Sequence, residues 1–217
     1  MDARQVFATP AAAQLAEAAA AGDAARVRQL AAAGADPNAS GDQGVTLLQW
    51  AVLNKNVAGL NALLDAGADP VRPGTGGATV VHLAAMADDP AYLQALLARR
   101  VNVNLPHGRS GATPLMAALM GEREAQFRLL LQAHADTNRP DAQGNTALHV
   151  AAKINDAARV LDLLKAGADP HARNAQQATF QRYLVMTPDN VLSAEEKLRR
   201  QAVFDWLRAH GVALQAH

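Results

Sequence analysis

The sequence predicts an all-α solenoid of about six helix-turn-helix units, and three observations carry that prediction. A Thr-led stretch recurs: Thr46 opens TLLQWA, Thr79 TVVHLA, Thr113 TPLMAA, Thr146 TALHVAA and Thr179 TFQRYL, at spacings of 33, 34, 33 and 33 residues. A second marker keeps the same interval, with GADP at Gly34, Gly67 and Gly167 and the degenerate RVNV from Arg100 and HADT from His134 between them. Finally, alanine is abundant and aromatics make up only 4%, which suits short helices packed through small side chains and tells against a sandwich or barrel.

The unit near 144–176 shows how each element follows. Thr146 stands where an N-cap hydroxyl accepts from an orphan N–H, and Leu148, Val150, Ala151 and Ala152 fill the inward positions of a two-turn helix ending near Lys153. After the polar break at Asn155 and Asp156, Ala157 to Lys165 carries Val160, Leu161, Leu163 and Leu164 at helical spacing and stops at Gly167. The run from Pro170 to Ala178 is rich in turn formers and too short for a helix, so it reads as a β-hairpin-like loop. By the same register the units fall near 11–43, 44–76, 77–110, 111–143, 144–176 and 177–212, in one domain of residues 11–217 after an N-terminal tail of residues 1–10. The first unit lacks the threonine but keeps Leu15, Ala16 and Ala18 in phase with Leu48, Gln49 and Ala51.

Departures from the pattern carry their own expectations. Arg100 and His134 replace the glycine after the second helix, and a side chain in the left-handed region costs about 1 kcal/mol, so those turns are expected to differ locally. The last unit reads as a modified C-terminal cap: Gln177 replaces a glycine, and eleven additional residues precede Ala209-His210-Gly211. There Ser193 and Glu196 form a capping-box pattern. Leu198, Ala202, Val203, Phe204, Trp206 and Leu207 supply an apolar face, with Lys197, Arg199 and Arg200 as the polar outer face of a solenoid end.

A Thr-Pro-Leu-His-x-Ala pattern at this period, followed by a Leu-Leu helix and Gly-Ala-Asp, resembles the ankyrin repeat, and the resemblance spans Ala11 to Val212. It implies that a partner is gripped by hairpin tips and by the concave face of the first helices. By phase the tips are Asp42, Gln43 and Val45; Thr75, Gly76 and Ala78; Arg109, Ser110 and Ala112; and Ala142, Gln143 and Asn145. Seven residues after each threonine, near the groove, stand Leu53, Met86, Met120, Lys153 and Met186. Flexible thioethers in such a row adapt to an apolar partner surface. Packing of the same side chains between the two helices of each unit is the competing reading. Trp50 sits where the motif normally has a core leucine, which makes it a packed residue.

The composition narrows the function classes. Lysine plus arginine equals aspartate plus glutamate at 20 each, so no bulk field draws nucleic acid or anionic lipid. No apolar run reaches the ~18 residues of a membrane span, and the absence of cysteine removes disulfides, zinc thiolates and thiol nucleophiles. His82 and His149 share one motif position, the mark of a repeated structural hydrogen bond, and no histidine pair has metal-ligand spacing. Pro73 to Gly77 lacks the lysine of a phosphate loop and Arg109-Ser110-Gly111 is a hairpin tip, so both read as turns. Neither a catalytic residue, a metal nor a cofactor is expected, and the chain is not read as an enzyme.

Two classes stay open: a protein-binding module, monomeric when free, and a structural or self-assembling element. The stretches VFATPAAAQLAEAAAAGD and VVHLAAMADDPAYLQALL, with the RRQAVFDWLRAHG tail, resemble small bacterial ankyrin-repeat proteins, often periplasmic, some of them immunity proteins encoded beside secreted toxic effectors such as lipases. That resemblance implies steric cover of an effector's active-site entrance, an added Met1 in place of a removed signal, and Asp2 to Phe7 as a tether. As the sequence stands, without a signal, the expectation is cytoplasmic.

Overall fold

The computed structural model describes residues 2–215. Met1, read above as an added start, lies outside them, as do residues 216 and 217 of the expected domain. The described chain forms thirteen α-helices: α1 (Ala3–Val6), α2 (Pro10–Ala21), α3 (Ala24–Ala32), α4 (Leu47–Leu53), α5 (Val57–Asp65), α6 (Val80–Met86), α7 (Ala91–Ala98), α8 (Pro114–Met120), α9 (Glu124–Gln132), α10 (Ala147–Lys153), α11 (Ala157–Lys165), α12 (Phe180–Leu184) and α13 (Ala194–Ala209). From α2 onward they alternate as first and second helices of six units, and the first helices stack in the order α2, α4, α6, α8, α10, α12.

The repeated threonines start the first helices as expected. Thr46 and Gln49 make a reciprocal capping box, Thr113 accepts from the amide of Met116, and the amides of Thr79 and Thr146 donate to Nδ1 of His82 and His149 at 3.2 Å. Leu15, Leu48, Val81, Leu115 and Leu148 from the first helices meet Val27, Leu60, Leu93, Phe127 and Val160 from the second, all buried. Each such side chain contributes about 1.5–3 kcal/mol of transfer free energy, so the core is a continuous seam that no unit completes alone. Small residues set the spacing: a Cβ at Gly59 of α5 would lie 1.8 Å from the carbonyl oxygen of Ala19, so only glycine permits that approach.

The hairpin-like loops form without a sheet; among the described residues the single β-bridge pairs Ser40 with Thr46. Each loop closes on itself, with Gly41, Gly74, His107 and Asp141 donating to the carbonyls of Val45, Ala78, Ala112 and Asn145 at 2.8–2.9 Å. Neighbouring loops are then stitched by Gly108 to Gly77, Ala142 to Ser110 and Ala175 to Gln143, each at 2.8 Å.

Two local expectations change. Arg100 and His134 adopt φ 57° and keep the turn that glycine makes elsewhere. Their amides donate to Leu97 and Leu131 as that of Gly67 does to Leu64, so the paired helix-end hydrogen bonds impose the left-handed residue whatever its side chain. The segment read as an N-terminal tail is docked: Phe7, which caps the C-terminus of α1, is 2% exposed and its ring meets Trp50 edge-on at 5.5 Å. Trp50 is itself buried, as expected, and its indole N–H donates to the carbonyl of Ala16 at 3.1 Å.

The cap differs in detail. Ser193 and Glu196 form the capping box that starts α13. Leu198, however, is 72% exposed, while Arg200 turns inward and donates to Asp189 Oδ1 and to the carbonyl of Thr187. At 100° per residue Arg200 shares its face with Val203 and Leu207, and Leu198 points the opposite way. The segment after α13 replaces the hairpin of a following unit: Gln181 donates to the carbonyl of Ala213 and accepts from the amide of Gln215, each at 3.1 Å.

Candidate protein-binding face

The first helices bring two residues per unit toward the groove. Four residues after each threonine stand Trp50, Leu83, Ala117, Val150 and Tyr183, with Glu17 in the equivalent place of unit one; seven after stand Leu53, Met86, Met120, Lys153 and Met186. The second row is in the open: Leu53 is 55% exposed, Met86 48%, Met120 53% and Met186 67%. Packing between the helices of a unit is therefore excluded for these four. Leu53, Met86 and Met120 end helices of seven residues and Met186 lies two residues past the five-residue α12, so the chain turns away before a second helix can cover them.

Lys153 is exposed but engaged. Its ammonium donates to Asn145 Oδ1 at 2.7 Å and lies 4.6 Å from the centre of the Tyr183 ring, while Asn174 Nδ2 bonds both Asn145 Oδ1 (3.0 Å) and the Tyr183 hydroxyl (2.7 Å). The row is thus apolar over units two to four and polar at unit five.

At the tips, Asp42, Gln43, Thr75, Arg109, Ser110, Ala142 and Gln143 are exposed. Val45 and Asn145, expected among the binding residues, are buried at 7% and 6%, as are Ala78 and Ala112. The residue before each threonine closes its own hairpin, and at three of them the carbonyl also takes a side chain of the preceding unit: Gln49 donates to Ala78 at 2.9 Å, His82 to Ala112 at 3.1 Å and His149 to Ala178 at 2.9 Å. That position holds units together and presents no side chain to a partner.

The histidine geometry fixes its chemistry. Nε2–H donates to the next unit's carbonyl while Nδ1 accepts from the threonine amide, so both imidazoles are neutral and both nitrogens are used. Burial pushes both below the usual histidine value, an effect larger than the opposing pull of the Ala112 and Ala178 carbonyls. Among the described residues no group of three or more histidine, cysteine, aspartate or glutamate side chains is placed to hold a metal ion. None of their helices is long and apolar enough to cross a membrane.

One feature escaped the sequence reading. An open cleft of about 540 Å³ lies between units two and three, lined by Val52, Leu53, Lys55, Leu83, Met86, Ala87, Asp88, Asp89 and Tyr92. Its signal was the 34-residue step from Thr79 to Thr113. Units two, four and five join their helices through a left-handed residue, Lys55, Glu122 or Asn155, whereas α6 ends in extended Ala87 (φ −65°, ψ 154°) and runs through Asp88, Asp89 and Pro90 into α7.

Comparison with known proteins agrees with this geometry. The family model described as ankyrin repeats (3 copies) matches residues 81–174. No curated protein matches the chain. Among solved structures, the ankyrin repeat domain of Bcl-3, a unique member of the IkappaB protein family, is 29% identical with TM-score 0.73, over 78% of this chain and 76% of that one. A chain from the complex of the predatory endopeptidase Bd0816 of Bdellovibrio bacteriovorus with the immunity protein Bd3460 is 25% identical with TM-score 0.67, over 88% of this chain and 97% of that one. Residues 81–174 match ankyrin repeats, the chain folds as an ankyrin-repeat solenoid, and that fold is a protein–protein interaction module.

Proposed function

We propose that this solenoid is a non-catalytic inhibitor, a bacterial immunity protein that binds a toxic effector enzyme and covers its active-site entrance. The observation that carries the reading is the exposed row of Leu53, Met86 and Met120 on short first helices, beside exposed tips at Asp42, Gln43, Arg109, Ser110, Ala142 and Gln143. Apolar side chains left in the open on consecutive units are a surface made to be covered, and a solenoid presents them as one extended strip. The likeness to the endopeptidase and immunity protein complex supports a hydrolase as the partner and favours a peptidase over the lipase class. Binding is steric, without a cofactor, and the free chain is a monomer.

The test is capture from lysate of the source cell by the wild type and by a Leu53→Glu, Met86→Glu, Met120→Glu variant of matched stability, with captured proteins identified by mass spectrometry. The reading predicts one hydrolase, held by the wild type and lost by the variant. Equal capture by both proteins would remove the row from the interface. A wild type whose molar mass rises with concentration, and which captures nothing, would establish the self-assembling alternative.

A further inference from the structure

The cleft between units two and three has a counterpart already filled by the protein itself. α1 lies along the groove-side positions of units one and two: Phe7 sits on Trp50, and Arg4, three residues earlier, pairs with Glu17 at 2.8 Å. Val6 borders the first hairpin so closely that a Cβ at Gly41 would lie 2.7 Å from its Cγ1. One helical turn, an aromatic side chain and a cation one turn away thus cover Trp50 and pair with the exposed Glu17.

The next residue in the row after Trp50 is Leu83, which is half-buried and lines the cleft with Val52, Leu53, Met86 and Tyr92. The rim repeats the chemistry of the α1 seat, an apolar floor beside an acid. Asp88 is bridged to Arg123 at 2.8 Å, whereas Asp89 receives only the amide of Ala91, at 2.9 Å, among the described residues. The cleft's walls are fixed from behind, since Arg123 also donates to the carbonyl of Met86 and Gln126 to that of Ala87. The additional residue of unit three therefore leaves an opening whose edge carries Asp89, without an ion pair among the described residues, with Lys55 as the cation on the same lining.

We propose that this cleft is the anchor pocket for the partner protein, and that it takes one helical turn carrying a bulky apolar side chain with an arginine or lysine one turn away, in the manner of α1. The apolar side chain enters between Leu53 and Met86 against Leu83 and Tyr92, and the cation pairs with Asp89. This rests on the binding role proposed above and adds to it a location and a recognition pattern.

The experiment uses the full chain with labelled leucine and methionine methyls, titrated by NMR with the acetylated, amidated hexapeptide ARQVFA, the sequence of residues 3–8, as probe. The expected result is saturable shifts at Leu53, Leu83 and Met86 and none at Met186. Replacing the peptide's Phe by Ala weakens binding more than about tenfold, the effect of losing a buried aromatic. Asp89→Asn, which keeps an acceptor for the Ala91 amide, weakens it about two- to fivefold, the size of an exposed ion pair, and only for the peptide that carries Arg. Absence of shifts at these methyls, equal binding of the Phe-less peptide, or shifts confined to Leu47 and Leu48, on the same helix as Trp50, would overturn the proposal. So would the same shifts appearing on concentration without peptide, since a second copy would then fill the cleft. Loss of captured enzyme from a Met120→Glu variant, beside a cleft that binds no peptide, would leave the inhibitor reading standing and remove only the pocket.

Discussion

His82 donates from Nε2 to the carbonyl oxygen of Ala112 in the next unit, at 3.1 Å, while its Nδ1 accepts from the amide of Thr79. His149 repeats the arrangement onto Ala178. Protonation would place a proton on Nδ1 against the Thr79 or Thr146 N–H, and burial adds to that cost. Both folded values are lowered, so between the unfolded value near 6.5 and the folded ones the unfolded chain binds more protons. Stability is therefore complete above about pH 7 and falls as pH drops through 6.5, with a limiting slope of about 1.4 kcal/mol per pH unit for each histidine. Urea unfolding at pH 7.5, 6.5 and 5.5 checks the direction.

Gln49 performs the same bridge in unit two, donating to Ala78 and accepting from the amides of Thr46 and Thr75. A His82→Gln, His149→Gln variant is expected to keep the fold, with a cost under about 1.5 kcal/mol at pH 7.5, and to flatten the pH dependence between 5.5 and 7.5. A variant as pH-sensitive as the wild type would place the sensitivity elsewhere.

Much of this was legible because the residues that make it are also the ones that repeat. Thr146, His149 and Gly167 mark helix start, inter-unit bridge and helix stop, and each does so through a hydrogen bond that recurs along the array, the bridge at units two, three and five. What the register could not convey was which way a side chain faces when two positions are adjacent. Asn145 reads as a polar tip residue, yet it is buried because its carbonyl closes the hairpin and its amide group ties Lys153 to Asn174. The docking of α1 lay outside the repeat and left no periodic trace. The cleft rests on a single additional residue, whose effect on the turn at Ala87 depends on three-dimensional packing.

Phe7→Ala is expected to detach α1 from the groove. The deletion of a buried aromatic costs up to about 3–5 kcal/mol, but a short terminal segment can come away locally, so global stability falls by less. Red-shifted fluorescence of Trp50 and rapid proteolysis after Arg4 are the readouts. An unchanged spectrum would contradict the contact between the two rings.

Arg100 holds φ 57° in a turn where units one, two and five use glycine. Relief of the left-handed strain outweighs the added freedom of the unfolded chain, so Arg100→Gly should stabilise by about 0.5–1 kcal/mol. A raised urea midpoint with unchanged slope would show it.

If the exposed row covers an enzyme, inhibition is stoichiometric. The hydrolase captured by the wild type would be purified and titrated with the wild-type protein and with Met120→Glu, whose exposed site makes a stability change beyond about 0.5 kcal/mol unexpected. Activity is expected to fall linearly to a floor at one equivalent of wild type, and the variant to inhibit far more weakly. Full activity of the enzyme in the saturated complex, or equal inhibition by both proteins, would contradict it.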